Sequence, residues 1–275
     1  MYSPTGEMVF NSNQVATLRI LLASLALLPF GYRAVKRTRI KKDVFYFMIV
    51  SICGNMLPAF LFTFAETGIS SGFAGMLNST TPIFTIFIGF GFFKIKMTWT
   101  QIIGSVIGSI GVVLLLYFGK AVSLQGDWKH IIAVVLATLC YATSLSTIRY
   151  KLSHYKSIDI AAIAFIILLI PSIIIFLLER TWIVFETNQF AWNNFMSISI
   201  LGLIGTAFAL FLFNNIIKNT SALFASSVTY FIPIVAVIIG FFFGEQLSAY
   251  QILSMFIVLL GVFIANFLGI KNSRH

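Results

Sequence analysis

Two stretches of this chain share one pattern: FAGMLNSTTPIFTIFIGF at residues 73–90 and FASSVTYFIPIVAVIIGF at residues 224–241. Aligned without a gap, they are identical at seven of eighteen positions, at an offset of 151 residues. Further identities at nearly the same offset lie in the neighbouring segments, among them Gly54 with Gly205. Apolar segments resemble one another by chance, but several matches in register over three consecutive segments indicate an internal duplication.

The composition predicts that these segments lie in a lipid bilayer. Hydrophobic residues make up 59% of the 275 residues and charged residues 9%, far below the roughly 25% charged residues of a soluble domain. The apolar runs are about 20 residues long, which suits membrane-spanning helices and not barrel strands. We therefore expect an all-α polytopic membrane protein with nine visible transmembrane helices. Their predicted positions are residues 14–32, 44–65, 71–93, 99–119, 128–149, 158–178, 195–217, 222–243 and 250–269.

The basic residues predict the orientation of the chain in the membrane. The net charge of +10 comes from short loops between apolar runs, which is typical of membrane proteins and argues against a nucleic-acid partner. Fourteen Lys and Arg residues lie in one set of alternating loops, and three lie in the other set. By the positive-inside rule the first set is cytoplasmic. We therefore expect a multi-pass protein of the cell membrane with a cytoplasmic C-terminus.

The same rule makes the two copies inverted. Segment 71–93 runs from outside to inside, whereas its partner 222–243 runs from inside to outside. Inversion requires an odd number of helices per copy, and five per copy would give ten helices. The first copy shows only four, so we expect an inverted-repeat bundle with a ten-helix fold whose first helix is missing from this sequence. The predicted units are residues 1–119, the first repeat, and residues 120–275, the second.

The order of the segments along the chain is a further pattern. ATLRILLASLALLPF (16–30), a basic loop, GNMLPAFLFTFAE (54–66), the first repeated stretch and WTQIIGSVIGSIGVVLL (99–115) follow one another, and the second half repeats this order. This order resembles the EamA family of the drug/metabolite transporter superfamily over nearly the whole chain. The resemblance implies ten helices, both termini in the cytoplasm, and export of amino acids or other small organic solutes. An acidic residue often found after the proline helix is present as Glu245, but its counterpart in the first copy is Ile95.

Inverted repeats are common in secondary transporters, because the two copies can exchange conformations and open a central site to either side. We therefore expect alternating access through a cavity between the repeats. The alternative is a non-transporting membrane scaffold or regulator derived from a carrier, which Ile95 and the missing helix favour. No nucleotide-binding loop, nucleophile elbow or HExxH motif supports ATP-driven transport or hydrolysis. Because the cysteines and histidines are scattered, we expect no metal, no cofactor and no enzymatic activity.

Polar residues inside the predicted spans are the candidates for a substrate site. Pro82 and Pro233 each remove a backbone hydrogen bond, and they are either fixed kinks for packing or loosened turns whose free carbonyls line a cavity. A polar patch precedes each proline, and other polar groups lie mid-span, where contact with lipid is costly. Such groups either line a cavity or make contacts between helices. The cavity candidates are Asn55, Asn78, Thr81, Tyr141, Asn214, Asn215, Thr229 and Tyr230.

Arg19 is the cation inside a predicted span, about one turn from the outer end. Its side chain either snorkels to the interface or anchors an anionic group such as a carboxylate. The partners that the sequence predicts are therefore a small-molecule solute and the lipid bilayer.

Overall fold

The computed structural model describes residues 8–37, 42–69, 71–118, 127–242 and 248–268. Within these ranges no β-strand occurs, and the predicted all-α class is confirmed. The α-helices are α1 (Ser12–Arg37), α2 (Val44–Ser51), α3 (Leu57–Ala65), α4 (Ser71–Asn78), α5 (Thr81–Phe93), α6 (Trp99–Phe118), α7 (Trp128–Lys151), α8 (Ser157–Leu178), α9 (Thr181–Thr187), α10 (Ala191–Gly202), α11 (Ala209–Asn219), α12 (Ala222–Ser226), α13 (Phe231–Phe242) and α14 (Ala249–Phe263).

Among the described residues, six helical segments are long and apolar enough to cross a bilayer. They are Ser12–Arg37, Val44–Ala65, Trp128–Lys151, Ser157–Leu178, Ala191–Asn219 and Ala249–Asn266. At the other three predicted spans the apolar helices are shorter, namely Thr81–Phe93, Trp99–Leu115 and Ala222–Val235. Glu245 and the predicted span ends at 119, 243 and 269 lie outside the described residues. The chain is thus a multi-pass helical membrane protein, and the count of nine spans stays a prediction.

Two of the long segments are interrupted by a π-helical turn. The turn Ile52–Met56 joins α2 to α3, and the turn Leu203–Phe208 joins α10 to α11. They begin 151 residues apart, which is the offset of the repeated sequence. A π turn inside a helix often marks a functional position, because it changes the direction in which side chains point.

A second pair of interruptions precedes two prolines. The predicted span 71–93 is not one helix, because α4 and α5 are separated by a turn before Pro82. In the second half, the 3₁₀ turn Ser227–Tyr230 separates α12 from α13, and Pro233 follows it. Both prolines lie in the first turn of the next helix, where the missing N–H leaves no hydrogen bond unmade.

Close packing through glycine joins α6 to α14. A Cβ atom on Gly104 would lie 2.3 Å from the backbone nitrogen of Ala265, and one on Gly261 would lie 2.3 Å from the backbone nitrogen of Gly108. Lipid is as apolar as a leucine side chain, so helices in a membrane are held together by such close contact and not by the hydrophobic effect. The outward surface is correspondingly apolar: Phe92 is 80% exposed.

One end of the bundle, where α1, α7 and α11 end, is joined by polar contacts, and we call it the basic end. Arg37 donates to both carboxylate oxygens of Asp159, at 2.7 and 2.6 Å. The hydroxyl of Tyr155 donates to Asp43 at 2.9 Å, and Lys218 donates to the carbonyl of Tyr155. Desolvation, together with the hydrogen bond to Asp43 and its negative charge, raises the pKa of Tyr155 to about 12. The hydroxyl therefore remains a donor at neutral pH.

Candidate functional site

A cavity of about 490 Å³ lies inside the bundle. Its wall comes from α1, α2, α3, α7 and α8, from both π turns with α11, and from the interrupted segments α4–α5 and α12–α13. Pockets of about 300–1,000 Å³ hold small organic molecules. The volume and its mostly apolar wall therefore suit a small organic solute.

Matching positions of the two halves face this cavity. Five pairs of lining residues lie 151 residues apart: Gly54 with Gly205, Asn55 with Thr206, Ala59 with Leu210, Asn78 with Thr229, and Thr81 with Ile232. The π turns carry two of these pairs, and the segments that are broken before a proline carry two others. The interruptions in each half thus bring polar residues to a shared space.

The basic end of the cavity is packed with apolar side chains. Val50, Ile148 and Ile217 line the cavity there, and each is buried. They belong to a core cluster that also contains Phe47 and Leu152, which lie farther toward the basic end. Tyr155, whose hydroxyl donates to Asp43, belongs to the same cluster, so the apolar packing adjoins the polar contacts of that end. Together they fill the bundle between the cavity and the basic end.

Six of the eight cavity candidates line the wall, and their role in binding stays a prediction. They are Asn55, Asn78, Thr81, Tyr141, Asn214 and Thr229. The amide of Asn55 donates to the carbonyl of Val50 at 3.0 Å. Asn214 is 1% exposed, and neither its amide nitrogen nor its oxygen has a hydrogen-bond partner among the described residues. A buried amide without a partner is costly, so Asn214 is a residue of this wall that an added polar partner would stabilise.

Asn215 and Tyr230, which we predicted to line the cavity, lie elsewhere. Asn215 is exposed, and its side-chain oxygen accepts from Asn219 at 3.1 Å. Tyr230 is fully buried, and its hydroxyl donates to the carbonyl of Ser105 at 2.7 Å. Adjacent helical residues point about 100° apart, so only one member of each neighbouring pair, Asn214 and not Asn215, or Thr229 and not Tyr230, faces the cavity.

The carbonyls at the first proline break are hydrogen-bonded within the chain. The hydroxyl of Thr81 donates to the carbonyl of Asn78 at 2.6 Å, and that of Thr80 donates to the carbonyl of Leu77 at 2.6 Å. The carbonyl of Asn78 has no partner within α4 because the helix ends there, and the threonine hydroxyl supplies one. The break therefore positions the Asn78 and Thr81 side chains at the cavity, while the backbone oxygens are already occupied.

Arg19 lines the cavity. Its Nε donates to the hydroxyl of Thr206 at 2.7 Å. The other described residues of the cavity wall carry no formal charge. Glu66, just beyond the end of α3, is near enough to interact electrostatically with Arg19. Desolvation raises the pKa of Glu66, and the positive charge of Arg19 opposes that rise.

The sequence did not single out Thr206, which also lines the cavity. Thr206 lies 151 residues after Asn55, so the register of the two similar stretches was a signal that could have found it. Ser144, a polar candidate in the same predicted span as Tyr141, lines the wall as well, where α7 lies close to Gly54. Among the described residues, no group of three or more His, Cys, Asp or Glu could hold a metal ion.

Comparisons with known proteins agree with this architecture. The sequence profile of the EamA-like transporter family matches residues 5–117 and, a second time, residues 128–267. A Clostridium kluyveri protein named an uncharacterized transporter is 22% identical over 258 residues, which cover 91% of this chain and 82% of that protein. The uncharacterized inner membrane transporter YedA of Escherichia coli is 25% identical over 259 residues, covering 90% and 79%. The uncharacterized transporter YdfC of Bacillus subtilis is 30% identical over 137 residues, which are 50% of this chain and 43% of that protein.

The fold also agrees with a solved structure. A crystal structure with 13% sequence identity covers 96% of this chain and 90% of that chain, with a TM-score of 0.71. At this identity the likeness shows the fold alone. The two profile matches nevertheless cover nearly all of the chain that forms the bundle and its cavity. The chain belongs to the EamA-like transporter family and is a membrane transporter of the drug/metabolite type.

Proposed function

We propose that this protein exports a small organic solute from the cytoplasm by alternating access through the central cavity. The observation that carries the proposal is the 490 Å³ cavity, to which both halves of the chain contribute polar residues. In this proposal residues 1–119 and 120–275 are the two inverted repeats, and the cavity lies between them. The two π turns and the two proline breaks at matching positions support the repeat.

In the membrane, the basic end is the cytoplasmic end, and the C-terminus lies on the same side. The unequal distribution of Lys and Arg between the two sets of loops supports this orientation. The closed basic end then corresponds to a state in which the cavity is shut off from the cytoplasm. Export requires a second state, in which the apolar cluster at that end separates and solute enters.

Flux through reconstituted protein tests the proposal. The full chain is placed in liposomes loaded with isotope-labelled amino acids and organic acids, and solute release is followed over time. Asn78→Leu removes a polar group from the cavity wall with little change in volume. We expect it to reduce the rate about tenfold, because losing one buried hydrogen bond to a solute weakens binding by roughly that factor. Asn193→Leu, an exposed position on α10, is the matched control and should leave the rate unchanged.

Two outcomes would contradict the proposal. Well-folded protein that releases none of the solutes would favour the scaffold derived from a carrier. Equal loss of flux in Asn78→Leu and Asn193→Leu would show that the cavity wall has no special part in transport.

A further inference from the structure

We propose that the cavity selects a small organic anion, with a carboxylate held by Arg19 and a hydrogen-bonding group held by Asn214. This inference rests on the proposed function and names the substrate class. It uses two features that face the same cavity: the charged residue of its wall, and a buried amide without a partner.

The charge of the cavity favours an anion. Arg19 forms no ion pair with any residue that the structure describes, since the ion pairs there involve other residues. The charge of Glu66 interacts with that of Arg19, but the two residues form no ion pair. A cation inside a membrane protein is costly without a direct partner, and the carboxylate of a solute supplies one. Because Nε already donates to Thr206, the two terminal nitrogens are left to donate to both oxygens of a carboxylate. A cationic solute, by contrast, would find no acidic side chain among the described residues of the wall.

The second contact lies farther along the same wall. Thr206, which accepts a hydrogen bond from Arg19, and Asn214 are eight residues apart on one continuous helical segment, which corresponds to about 12 Å along its axis. The two contacts therefore lie toward different ends of the cavity. A solute that carries its two polar groups at opposite ends of an aromatic ring with a short side chain would extend between them.

Most of the rest of the wall is apolar, and its side chains include Ile20, Phe165, Leu210 and Phe213. An apolar wall binds a hydrocarbon body and rejects a second charge, because a charge placed there would lose its hydration without gaining a partner. The structure thus suits a monocarboxylate with an aromatic or aliphatic middle and a hydroxyl or amide at the far end.

Four compounds with the same ring test this selection on the purified full chain by isothermal titration calorimetry. They are 4-hydroxyphenylacetate, phenylacetate, 4-hydroxyphenylacetamide and tyramine. We expect 4-hydroxyphenylacetate to bind at least about tenfold more tightly than the neutral amide or the cationic amine, because a charge-assisted pair is lost in both. Phenylacetate, which lacks the distal hydroxyl, should bind with intermediate affinity.

Variants assign the two ends of the ligand. Arg19→Gln should weaken binding of 4-hydroxyphenylacetate about tenfold and leave binding of the amide unchanged. Arg33→Gln makes the same substitution at an exposed position of the same helix, about 21 Å away along the axis, and should change neither. Asn214→Leu should make 4-hydroxyphenylacetate bind no better than phenylacetate. Thr206→Val keeps the charge of Arg19 but removes the contact that orients it. It should weaken binding of 4-hydroxyphenylacetate less than Arg19→Gln does.

Three results would overturn the inference: equal affinity for the acid, the amide and the amine; unchanged preference in Arg19→Gln; or no binding of either acid. A fold defect in Arg19→Gln is recognised by loss of amide binding, and Thr206→Val then carries the test. The proposed function is tested separately, by the transport measurement in liposomes. If liposomes release a neutral or cationic metabolite in an Asn78-dependent way, transport stands and only the anionic substrate class is wrong.

Discussion

At the scale of the residue, two buried polar side chains differ in how the protein satisfies them. Tyr230 is completely buried, and its hydroxyl donates to the carbonyl of Ser105 and lies 3.2 Å from the hydroxyl of Ser109. Asn214 is as deeply buried, yet neither of its amide atoms is satisfied by the described residues. Unsatisfied buried hydroxyls also occur away from the cavity, at Thr17 and Ser24, so the place of Asn214 in the cavity wall, and not the missing partner alone, makes it a candidate for binding.

Tyr230→Phe tests this difference. The ring stays in place, but the carbonyl of Ser105 loses its donor, so we expect the free energy of unfolding to fall by about 0.5–1.5 kcal/mol. Thermal unfolding in detergent, monitored by circular dichroism, measures the change as a lower midpoint. Solute affinity should be unchanged, since the hydroxyl does not face the cavity. A loss of solute affinity at unchanged stability would indicate that Tyr230 is part of the substrate site after all.

At the scale of the element, glycine decides which helices can approach closely. α6 and α14 approach so closely that a Cβ atom at Gly104 would overlap backbone atoms, which cannot move aside as a flexible side chain can. Gly91 on α5, by comparison, has open space where a Cβ would be added. The same residue type thus has a packing role at Gly104 and none at Gly91.

Substitution by alanine should therefore have opposite effects at these two positions. Gly91→Ala should stabilise the protein by up to about 1 kcal/mol, because alanine is the better helix former. Gly104→Ala should destabilise it by about 1–3 kcal/mol, because the added methyl group forces the helices apart. Unfolding midpoints of the two variants, measured side by side in one detergent, provide the comparison. Stabilisation by Gly104→Ala would show that α6 and α14 are farther apart than the structure has them.

At the scale of the whole molecule, two adjoining layers of contacts lie between the cavity and the basic end. The inner layer is the apolar cluster around Ile148 and Ile217, and the outer layer is the set of polar contacts of the basic end. In that outer layer, Asp159 is 5% exposed and depends on Arg37 for its counter-charge. A buried carboxylate that loses its partner is strongly unfavourable, so the pair should favour the closed state.

A reporter cysteine at the cavity wall measures this closure. Thr229→Cys, with Cys53 and Cys140 replaced by alanine, places one thiol at the cavity. In vesicles that expose the basic end, a membrane-impermeant thiol reagent should label it slowly. Arg37→Ala should raise the labelling rate about tenfold, which corresponds to about 1.4 kcal/mol lost from the closed state.

Arg33→Ala is the control for this measurement, because Arg33 is exposed one turn earlier on α1. The thiol of this variant should be labelled at the same rate as that of the parent protein. Fast labelling in the parent, or equal rates in Arg33→Ala and Arg37→Ala, would show that the polar contacts of the basic end do not close the cavity.

Most of the helices, but not all of the wall, could be predicted from the sequence. Apolar runs predicted where helices occur, because burial of hydrocarbon in lipid depends on local composition alone. The break before Pro82 was not predicted as a break, because proline is compatible with either a kinked or an interrupted helix. Asn214 and Asn215 were equally good candidates in the sequence, and their different surroundings depend on the direction from which α8 and α7 pack.

Sequence alone was enough to identify a helical membrane protein with the family pattern of a transporter, and it predicts an internal duplication. These properties follow from composition, from the spacing of charges and from identities in register, and none of them requires long-range contacts. The tertiary structure alone decided that Arg19 meets Thr206 across 187 residues, and that Tyr230 belongs to the packing of α6. Contacts of this kind depend on how separate helices are rotated against one another, and the rotation is a property of the whole bundle.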